Sequence, residues 1–269
     1  AGCAVGPPAA AAANAASLGA LARAPFGRPE IGWRAYEPLT AREIGAACPA
    51  DSPAFAAALA AWQRAHGLAG RGVMDAPTFA RMKALWQARR PFVAASRLGC
   101  DVPPAAATLA QATPAESYGG KLIFLRPRAL IAYRAMVAAA RRAAPPIAAD
   151  RRLLTIFSAF RDPASDDARC ALERNCQGIV RAACSAHRTG LALDLYLGGA
   201  PGFGPDSSAD ANRLFLSRTP AYRWLVANAG RFGFVNYPFE PWHWEWTGEP
   251  LGPVIPFAAA TSPPAPPPS

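Results

Sequence analysis

The chain has 269 residues, of which 52% are hydrophobic and 17% are charged, so a substantial core can form and global disorder is excluded. The formal net charge is +10, but the arginines are scattered and the only lysines are Lys83 and Lys121, so we expect no nucleic-acid partner. An anionic surface such as a bacterial envelope fits this charge better. No apolar run reaches the roughly 18 residues that a membrane-spanning helix needs.

Both ends of the chain are predicted to be unpacked. Residues 1–35 are rich in Ala, Gly and Pro without a sustained apolar period, which favours a tether, and residues 258–269 form a Pro-rich tail. The opening Ala1-Gly2-Cys3 is typical of the end of a bacterial lipoprotein signal, in which lipid would be attached to Cys3. The alternative is that Cys3 is free or forms a disulfide.

Six cysteines in a chain that we expect to be exported favour disulfides. No C-x-x-C pair occurs, which argues against a structural zinc site built from cysteines. Cys170, Cys176 and Cys184 lie in one segment, so the first expectation is a local bridge there. The sequence leaves the full connectivity open.

Residues 36–92 are predicted to form a small helical domain, because Ser52-Pro53 and Asp75 with the following residues are typical helix starts. Within it, the segments 62–68 (WQRAHGL) and 72–75 (GVMD) resemble the peptidoglycan-binding helical module of many cell-wall hydrolases. The resemblance implies a wall-binding module. The alternative is a helical packing domain without a ligand.

Residues 93–117 are irregular and predicted to be a linker, whereas residues 118–257 contain both helical and strand-like segments. These segments follow one another without repeated β-α-β units, which favours an α+β domain. They are a helix over 127–143, strands over 153–160 and 190–197, helical sequence over 209–233 and an alternating strand over 241–247.

Two of the three histidines lie beside carboxylates in strand-like sequence. His187 precedes the strand 190–197, in which Asp194 lies on the face opposite the leucines. A buried carboxylate is unfavourable unless it is paired or binds a metal. Asp194 therefore binds a metal, or it pairs with Arg188 or Arg161.

The second histidine element is residues 240–246 (EPWHWEW). In a strand, the indoles pack on one face, while His243 and Glu245 lie on the other. Glu240 precedes this strand, where a loop can direct it toward the face of His243.

These residues together predict a metal centre. Two imidazoles and one carboxylate make a three-ligand set for Zn²⁺, with the fourth position left for water. A further carboxylate, Glu240, can take a proton from that water, which is the requirement for metal-assisted hydrolysis. The predicted ligands are His187, Asp194 and His243.

Four motifs occur in order over about residues 120–250. They are 158–161 (SAFR), 185–194 (SAHRTGLALD), 224–234 (WLVANAGRFGF) and 240–243 (EPWH). This series resembles the zinc D-alanyl-D-alanine carboxypeptidases and dipeptidases of the vancomycin-resistance type, which are grouped with lysostaphin-like endopeptidases and the hedgehog signalling domain. The resemblance implies an antiparallel sheet with flanking helices around one Zn²⁺ held by the three predicted ligands.

The resemblance also implies roles for residues around the metal. Glu240 would be the general base and then the acid for the leaving amine, and Arg161 would stabilise the oxyanion. Ser185 and Trp242 would contact substrate. The sequence departs from the family in residues 162–184, which contain three cysteines and border the predicted cleft, so the scissile bond stays open.

The sequence thus predicts an exported, monomeric zinc peptidase of the bacterial periplasm or envelope, with membrane contact only through lipid on Cys3. The expected reaction removes the terminal D-Ala from peptidoglycan stem peptides that end in D-Ala-D-Ala. One alternative is the same chemistry on another bond, as in a D,D-dipeptidase or an L,D- or D,D-endopeptidase. The other is a non-catalytic wall-binding protein with a structural zinc site.

Overall fold

The computed structural model describes residues 2–96, 99–172 and 184–256. The N-terminal part is helical and includes one short β-hairpin. Its elements are α1 (Pro8–Ser17), β1 (Ala22–Arg23), β2 (Glu30–Ile31), α2 (Glu37–Ile44), α3 (Pro53–Ala65), α4 (Ala76–Ala88) and α5 (Pro91–Ala95).

The C-terminal part mixes helices with short strands. Its elements are β3 (Gly99–Asp101), β4 (Ala110–Gln111), β5 (Phe124–Leu125), α6 (Pro127–Ala143), α7 (Pro145–Ala149), β6 (Ile156–Ser158), α8 (Pro163–Leu172), β7 (Ala192–Leu195), α9 (Asp210–Arg218), α10 (Pro220–Asn228), β8 (Phe234–Asn236), β9 (His243–Trp246) and β10 (Val254–Pro256). This mixture confirms the predicted α+β class. The particular peptidase fold stays a prediction.

A four-stranded antiparallel sheet in the order β6-β7-β9-β8 lies at the centre of the C-terminal part. One face packs on a core that includes Leu193 of β7, Trp244 of β9 and Tyr133 of α6. Asp194 and His243 belong to the other face, as the alternation in the sequence predicts. The core thus holds the strands in place, and Asp194 and His243 lie on the face that is turned away from the core.

The helices begin at the predicted capping residues. Ser52 Oγ accepts the backbone N–H of Phe55 at 3.2 Å, and Asp75 Oδ1 accepts that of Thr78 at 2.9 Å. The stretch 209–233, predicted to be helical, divides into α9 and α10 because a new helix begins at Pro220.

The residues that resemble a peptidoglycan-binding motif make hydrogen bonds inside the protein. The buried Gln63 side chain donates to Val73 O at 2.9 Å and to Thr78 Oγ1 at 2.8 Å, and it accepts the backbone N–H of Gly72 at 2.8 Å. These contacts hold the turn between α3 and α4. The motif therefore explains local packing, and ligand binding by this module stays a prediction.

The interpretation of residues 1–35 as a tether is wrong. Helix α1 packs against α3, and its buried Asn14 donates to Gly72 O at 2.9 Å and accepts the N–H of Met74 at 2.8 Å. Trp33 is fully buried in the core of the helical part. An alanine-rich helix of this kind is stabilised by tertiary contacts more than by an amphipathic pattern, so the apolar periodicity does not predict it.

Lipid attachment at Cys3 is also corrected. Cys3 forms a disulfide with Cys48, so its sulfur is not available for a lipid.

The expected local bridge is wrong for Cys184, which pairs with Cys100 across 84 residues of sequence. Cys176 and the side chain of Cys170 lie outside the described residues. Two disulfides suggest an oxidising, exported environment. Within the described ranges, no helix combines the length and apolarity needed to cross a bilayer.

Residues 93–117, predicted to be a linker, contribute strands to two small sheets. β3 pairs with β10, and β4 pairs with β5. The predicted tail, residues 258–269, lies outside the described residues.

Buried polar contacts join the two parts of the molecule. Arg213 of α9 lies 3.1 Å from Glu30 and donates to the hydroxyl of Tyr36, while α2 packs against α10. A second pair, Arg90 with Glu245, lies on the sheet face that carries Asp194 and His243. The domain boundaries stay a prediction, but the parts are closely packed against each other.

Candidate metal centre

Sheet register brings two of the predicted ligands together. Asp194 on β7 lies directly opposite His243 on β9 in an antiparallel pair, and Ser158 on β6 lies on its other side. Directly opposite residues on one face have Cβ atoms only about 5 Å apart. The observed register of two short strands, whose apolar residues share the opposite face, therefore brings Asp194 and His243 together.

His187 reaches the same point from a 3₁₀ turn, Ala186–Thr189, that leads into β7. Ser185 Oγ caps the turn by accepting the N–H of His187 at 3.2 Å. Gly190 ends it with φ 69°, and an added Cβ would lie 3.2 Å from side chains of Arg126 and Leu109. The glycine of the His-x-x-Gly motif is thus required by a left-handed turn in a crowded place.

The three side chains converge in a buried cluster. His187 Nε2 lies 3.2 Å from Asp194 Oδ2, and His243 Nδ1 lies 2.9 Å from Asp194 Oδ1. One ligand atom from each residue lies within 4.8 Å of the other two, so His187, Asp194 and His243 could hold a metal ion. Arg161 and Arg188, the alternative partners of Asp194, pair instead with Asp166.

The surroundings of His187 keep its ring neutral and leave the lone pair of Nε2 free for a metal ion. Its Nδ1 lies 2.7 Å from the carbonyl oxygen of Ala159, so the Nδ1–H donates there and Nε2 carries the lone pair. Burial, with a further contribution from the Arg161 cation, lowers the pKa of His187 to about 4. The ring is therefore neutral at pH 7.

His243 has the opposite protonation behaviour. Burial alone would lower its pKa, but hydrogen bonds to Asp194 and Glu245 outweigh burial and raise the pKa to about 9. Burial likewise opposes ionisation of Asp194, yet its contacts with His187 and His243 lower the pKa of that carboxyl. Without a metal, His243 is thus protonated at pH 7 and donates Nδ1–H to Asp194.

Metal binding at pH 7 should therefore release about one proton, because Nδ1 of His243 must lose its proton before it can bind a metal. With His243 titrating at about 9, the metal affinity should rise about tenfold per pH unit between pH 7 and 9. Isothermal titration calorimetry in buffers with different ionisation enthalpies measures the released proton. Binding without proton release in this range would contradict the assigned protonation.

Glu240 lies beside the cluster. Its Oε2 is 3.9 Å from His243 Nδ1, and only 8% of the residue is exposed. The turn that carries it is fixed by Asn236, whose side chain donates to Glu240 O at 3.1 Å and to His243 O at 2.8 Å. Glu240 therefore lies beside the three ligands, where the sequence places the general base.

Arg161 is fixed at the edge of the same pocket. Its Nε donates to Asp166 Oδ1 at 2.8 Å, Nη1 to Ser158 Oγ at 2.7 Å and Nη2 to Ser185 Oγ at 3.2 Å. The Ser-x-Phe-Arg motif thus supplies both the cation and one of its partners. Asp166 is a supporting residue that the sequence analysis missed, although it follows Arg161 by only five positions.

The pocket above the cluster has a volume of about 220 Å³ and is lined by both basic and acidic side chains. Arg161, Ser185, Glu240 and Trp242 contribute to its wall, as the sequence predicts. Trp242 is otherwise buried in the core, so only part of its surface faces the pocket. Their contacts with a substrate stay predictions.

Other pocket residues were missed by sequence reasoning. They are Arg90, Phe92, Lys121, Asp206 and Tyr237, among others. Arg90 and Phe92 come from the helical part, and no local pattern relates them to the metal ligands. Glu245 was placed on the correct face by the strand alternation, but its contact with His243 Nε2 at 3.3 Å was not predicted.

The arrangement offers metal ligands, a neighbouring carboxylate and a fixed cation around one accessible pocket. No family model matches the chain, and no curated protein matches it either.

Proposed function

We propose that the protein is a zinc-dependent peptidase that removes the terminal D-Ala from peptidoglycan stem peptides. The observation that supports this most strongly is the convergence of His187, Asp194 and His243 beside Glu240 in an open pocket. Two imidazoles and one carboxylate form the donor set of many catalytic zinc sites. The motif resemblance supplies the substrate class.

Each residue has a defined task in this proposal. Zinc, when bound, would supply Lewis-acid activation of water and of the scissile carbonyl. Glu240 would accept the proton of the attacking water and deliver it to the leaving amine, so that the peptide bond breaks and a carboxylate and an amine are released. Its position next to His243 Nδ1 favours this role over a structural one.

Arg161 would stabilise negative charge that develops on the carbonyl oxygen. Its guanidinium is fixed by Asp166, Ser158 and Ser185, so little reorganisation is needed during the reaction. Ser185, which already contacts the Arg161 guanidinium, would also hydrogen-bond the substrate.

Replacing Arg161 with methionine should lower kcat about 100- to 1,000-fold, the usual cost of losing one oxyanion-stabilising donor. Zinc should be retained, because the side-chain hydrogen bonds of Arg161 go to Asp166, Ser158 and Ser185 and to none of the three predicted ligands. Steady-state kinetics with a D-Ala-D-Ala peptide, together with metal analysis, provide the measurement. An equal loss of zinc would instead assign Arg161 a structural role.

Location and charge agree with a cell-wall substrate. The two disulfides suggest an exported, oxidising environment, and peptidoglycan lies in such a compartment. The net charge of +10 favours an anionic envelope.

The proposal is tested by incubating the zinc-loaded protein with defined muropeptides and identifying the products by mass spectrometry. Release of a single D-Ala supports the carboxypeptidase assignment. Release of a dipeptide, or separation of cross-linked dimers, would assign the dipeptidase or endopeptidase reaction instead. Binding to sacculi without any cleavage would contradict a peptidase and favour a wall-binding protein.

A further inference from the structure

A buried carboxylate lies directly behind one metal ligand. Glu245 Oε1 is 3.3 Å from His243 Nε2, on the side of the imidazole opposite Asp194. The same oxygen accepts Nε of Arg90 at 2.7 Å, and Glu245 Oε2 accepts the backbone N–H of Phe92 at 3.4 Å. Glu245 thus connects the cluster of His187, Asp194 and His243 to the end of the helical part.

Arg90 also contacts Gln87 and Tyr237. Its Nη1 donates to Gln87 Oε1 at 2.9 Å, and its guanidinium carbon lies 4.1 Å from the centre of the Tyr237 ring. That ring in turn lies 6.0 Å from the imidazole of His243. Arg90 is 6% exposed and Glu245 is 2% exposed, so neither charge is solvated by bulk water.

We propose that Arg90 is a positioning residue for the metal centre and acts through Glu245 on His243. The inference rests on the metal site of the proposed function. A metal-binding histidine usually donates its other ring N–H to a carboxylate or carbonyl, which fixes the ring orientation. Glu245 provides that acceptor for Nε2–H and so directs Nδ1 toward Asp194.

Arg90 is required because an isolated carboxylate is unfavourable in a buried site. Without the cation, Glu245 would turn toward water or take another partner, and His243 would lose its orientation. The helical part would then contribute directly to metal binding, in addition to any role at the cell wall.

Electrostatics alone predicts the opposite effect of removing Arg90. Loss of a cation near a divalent metal should strengthen metal binding. A weaker affinity after this change therefore reports lost positioning. The Arg90→Lys variant sharpens the distinction, because it keeps the charge but loses the fork that donates two N–H groups to one carboxylate.

The experiment compares the full-length variants Arg90→Met and Arg90→Lys with the unmodified protein. Zinc affinity is measured by competition with a chelator, and the visible spectrum of the Co²⁺-substituted protein reports ligand geometry. We expect Arg90→Met to weaken zinc binding about 10- to 100-fold and to alter the Co²⁺ spectrum. Arg90→Lys should restore part of the affinity.

Two control variants separate positioning from general destabilisation. Glu30→Gln weakens the other buried pair between the two parts, and Arg89→Met removes the neighbouring arginine, which pairs with Glu43. Both should retain the original zinc affinity even if the melting temperature falls. An equal loss of affinity in Glu30→Gln, or unchanged or tighter binding in Arg90→Met, would overturn the inference.

A second variant guards against misfolding. If Arg90→Met does not fold, Glu245→Gln tests the same contact with a nearly isosteric side chain. Loss of the anion weakens zinc binding by electrostatics alone, so the Co²⁺ spectrum is the readout, and it should change because the amide is a weaker acceptor for Nε2–H of His243. An unchanged Co²⁺ spectrum in that variant would also overturn the inference. Failure of the unmodified protein to bind zinc would overturn both proposals, whereas zinc binding without muropeptide cleavage would affect the peptidase assignment alone.

Discussion

Replacing His187 with alanine should remove most of the zinc at the cluster and leave only a residual peptidase activity. The change removes Nε2, which lies 3.2 Å from Asp194, and leaves two ligands. Loss of a residue that only supports a ligand already costs about 10- to 100-fold in metal affinity, so loss of the ligand itself should exceed that range. Metal analysis after dialysis, together with chelator competition, measures the effect.

His66→Ala is the matched control for this experiment. His66 ends helix α3, stacks on Trp62 and lies 2.8 Å through Nδ1 from the Trp62 carbonyl oxygen. Its loss removes an imidazole from the helical part without touching the cluster, so one equivalent of zinc should remain. Full zinc content in the His187→Ala variant would show that the metal binds elsewhere.

The sequence was sufficient to predict the cluster because strand periodicity is a strong local signal. Alternation of leucines with Asp194, and of tryptophans with His243, assigned both side chains to the face opposite the core. The two strands pair with their apolar faces on the same side, and in the observed register Asp194 lies opposite His243. The alternation assigned the faces, whereas the pairing of β7 with β9 is a contact between residues 49 positions apart, Asp194 and His243, that periodicity does not predict.

The supporting contacts could not be predicted in the same way. Arg90 and Glu245 are 155 residues apart, and their pairing depends on how the helical part packs on the sheet. The packing of α1 and the Cys3–Cys48 disulfide likewise depend on tertiary contacts. Arginines are scattered throughout the sequence, and no local pattern indicates which residue Arg90 pairs with. The structure identifies that partner as Glu245.

Replacing Glu240 with glutamine should leave zinc binding intact and lower kcat about 100- to 10,000-fold, the usual range for a general base. Glutamine preserves the size of the side chain but cannot accept a proton from the attacking water. Zinc should be retained because Glu240 is not among the three residues that could hold the metal ion. Kinetics on a D-Ala-D-Ala peptide, with parallel metal analysis, measure both quantities.

The control for this variant is Glu116→Gln, since Glu116 pairs with Arg134 and is not among the residues that line the pocket above the cluster. Its activity should stay close to that of the unmodified protein. Full activity in Glu240→Gln would contradict the assignment of the base, and an equal loss of zinc would make Glu240 a ligand.

The double variant His187→Ala with Glu240→Gln gives the sharpest distinction. Groups that act as a unit are strongly non-additive, so once the metal is lost, removal of the base should cost almost nothing more. Additive losses would mean that Glu240 acts independently of the metal. In that case the proximity of Glu240 to His243 would not reflect a shared reaction, and the hydrolytic mechanism would have to be abandoned even if zinc binds.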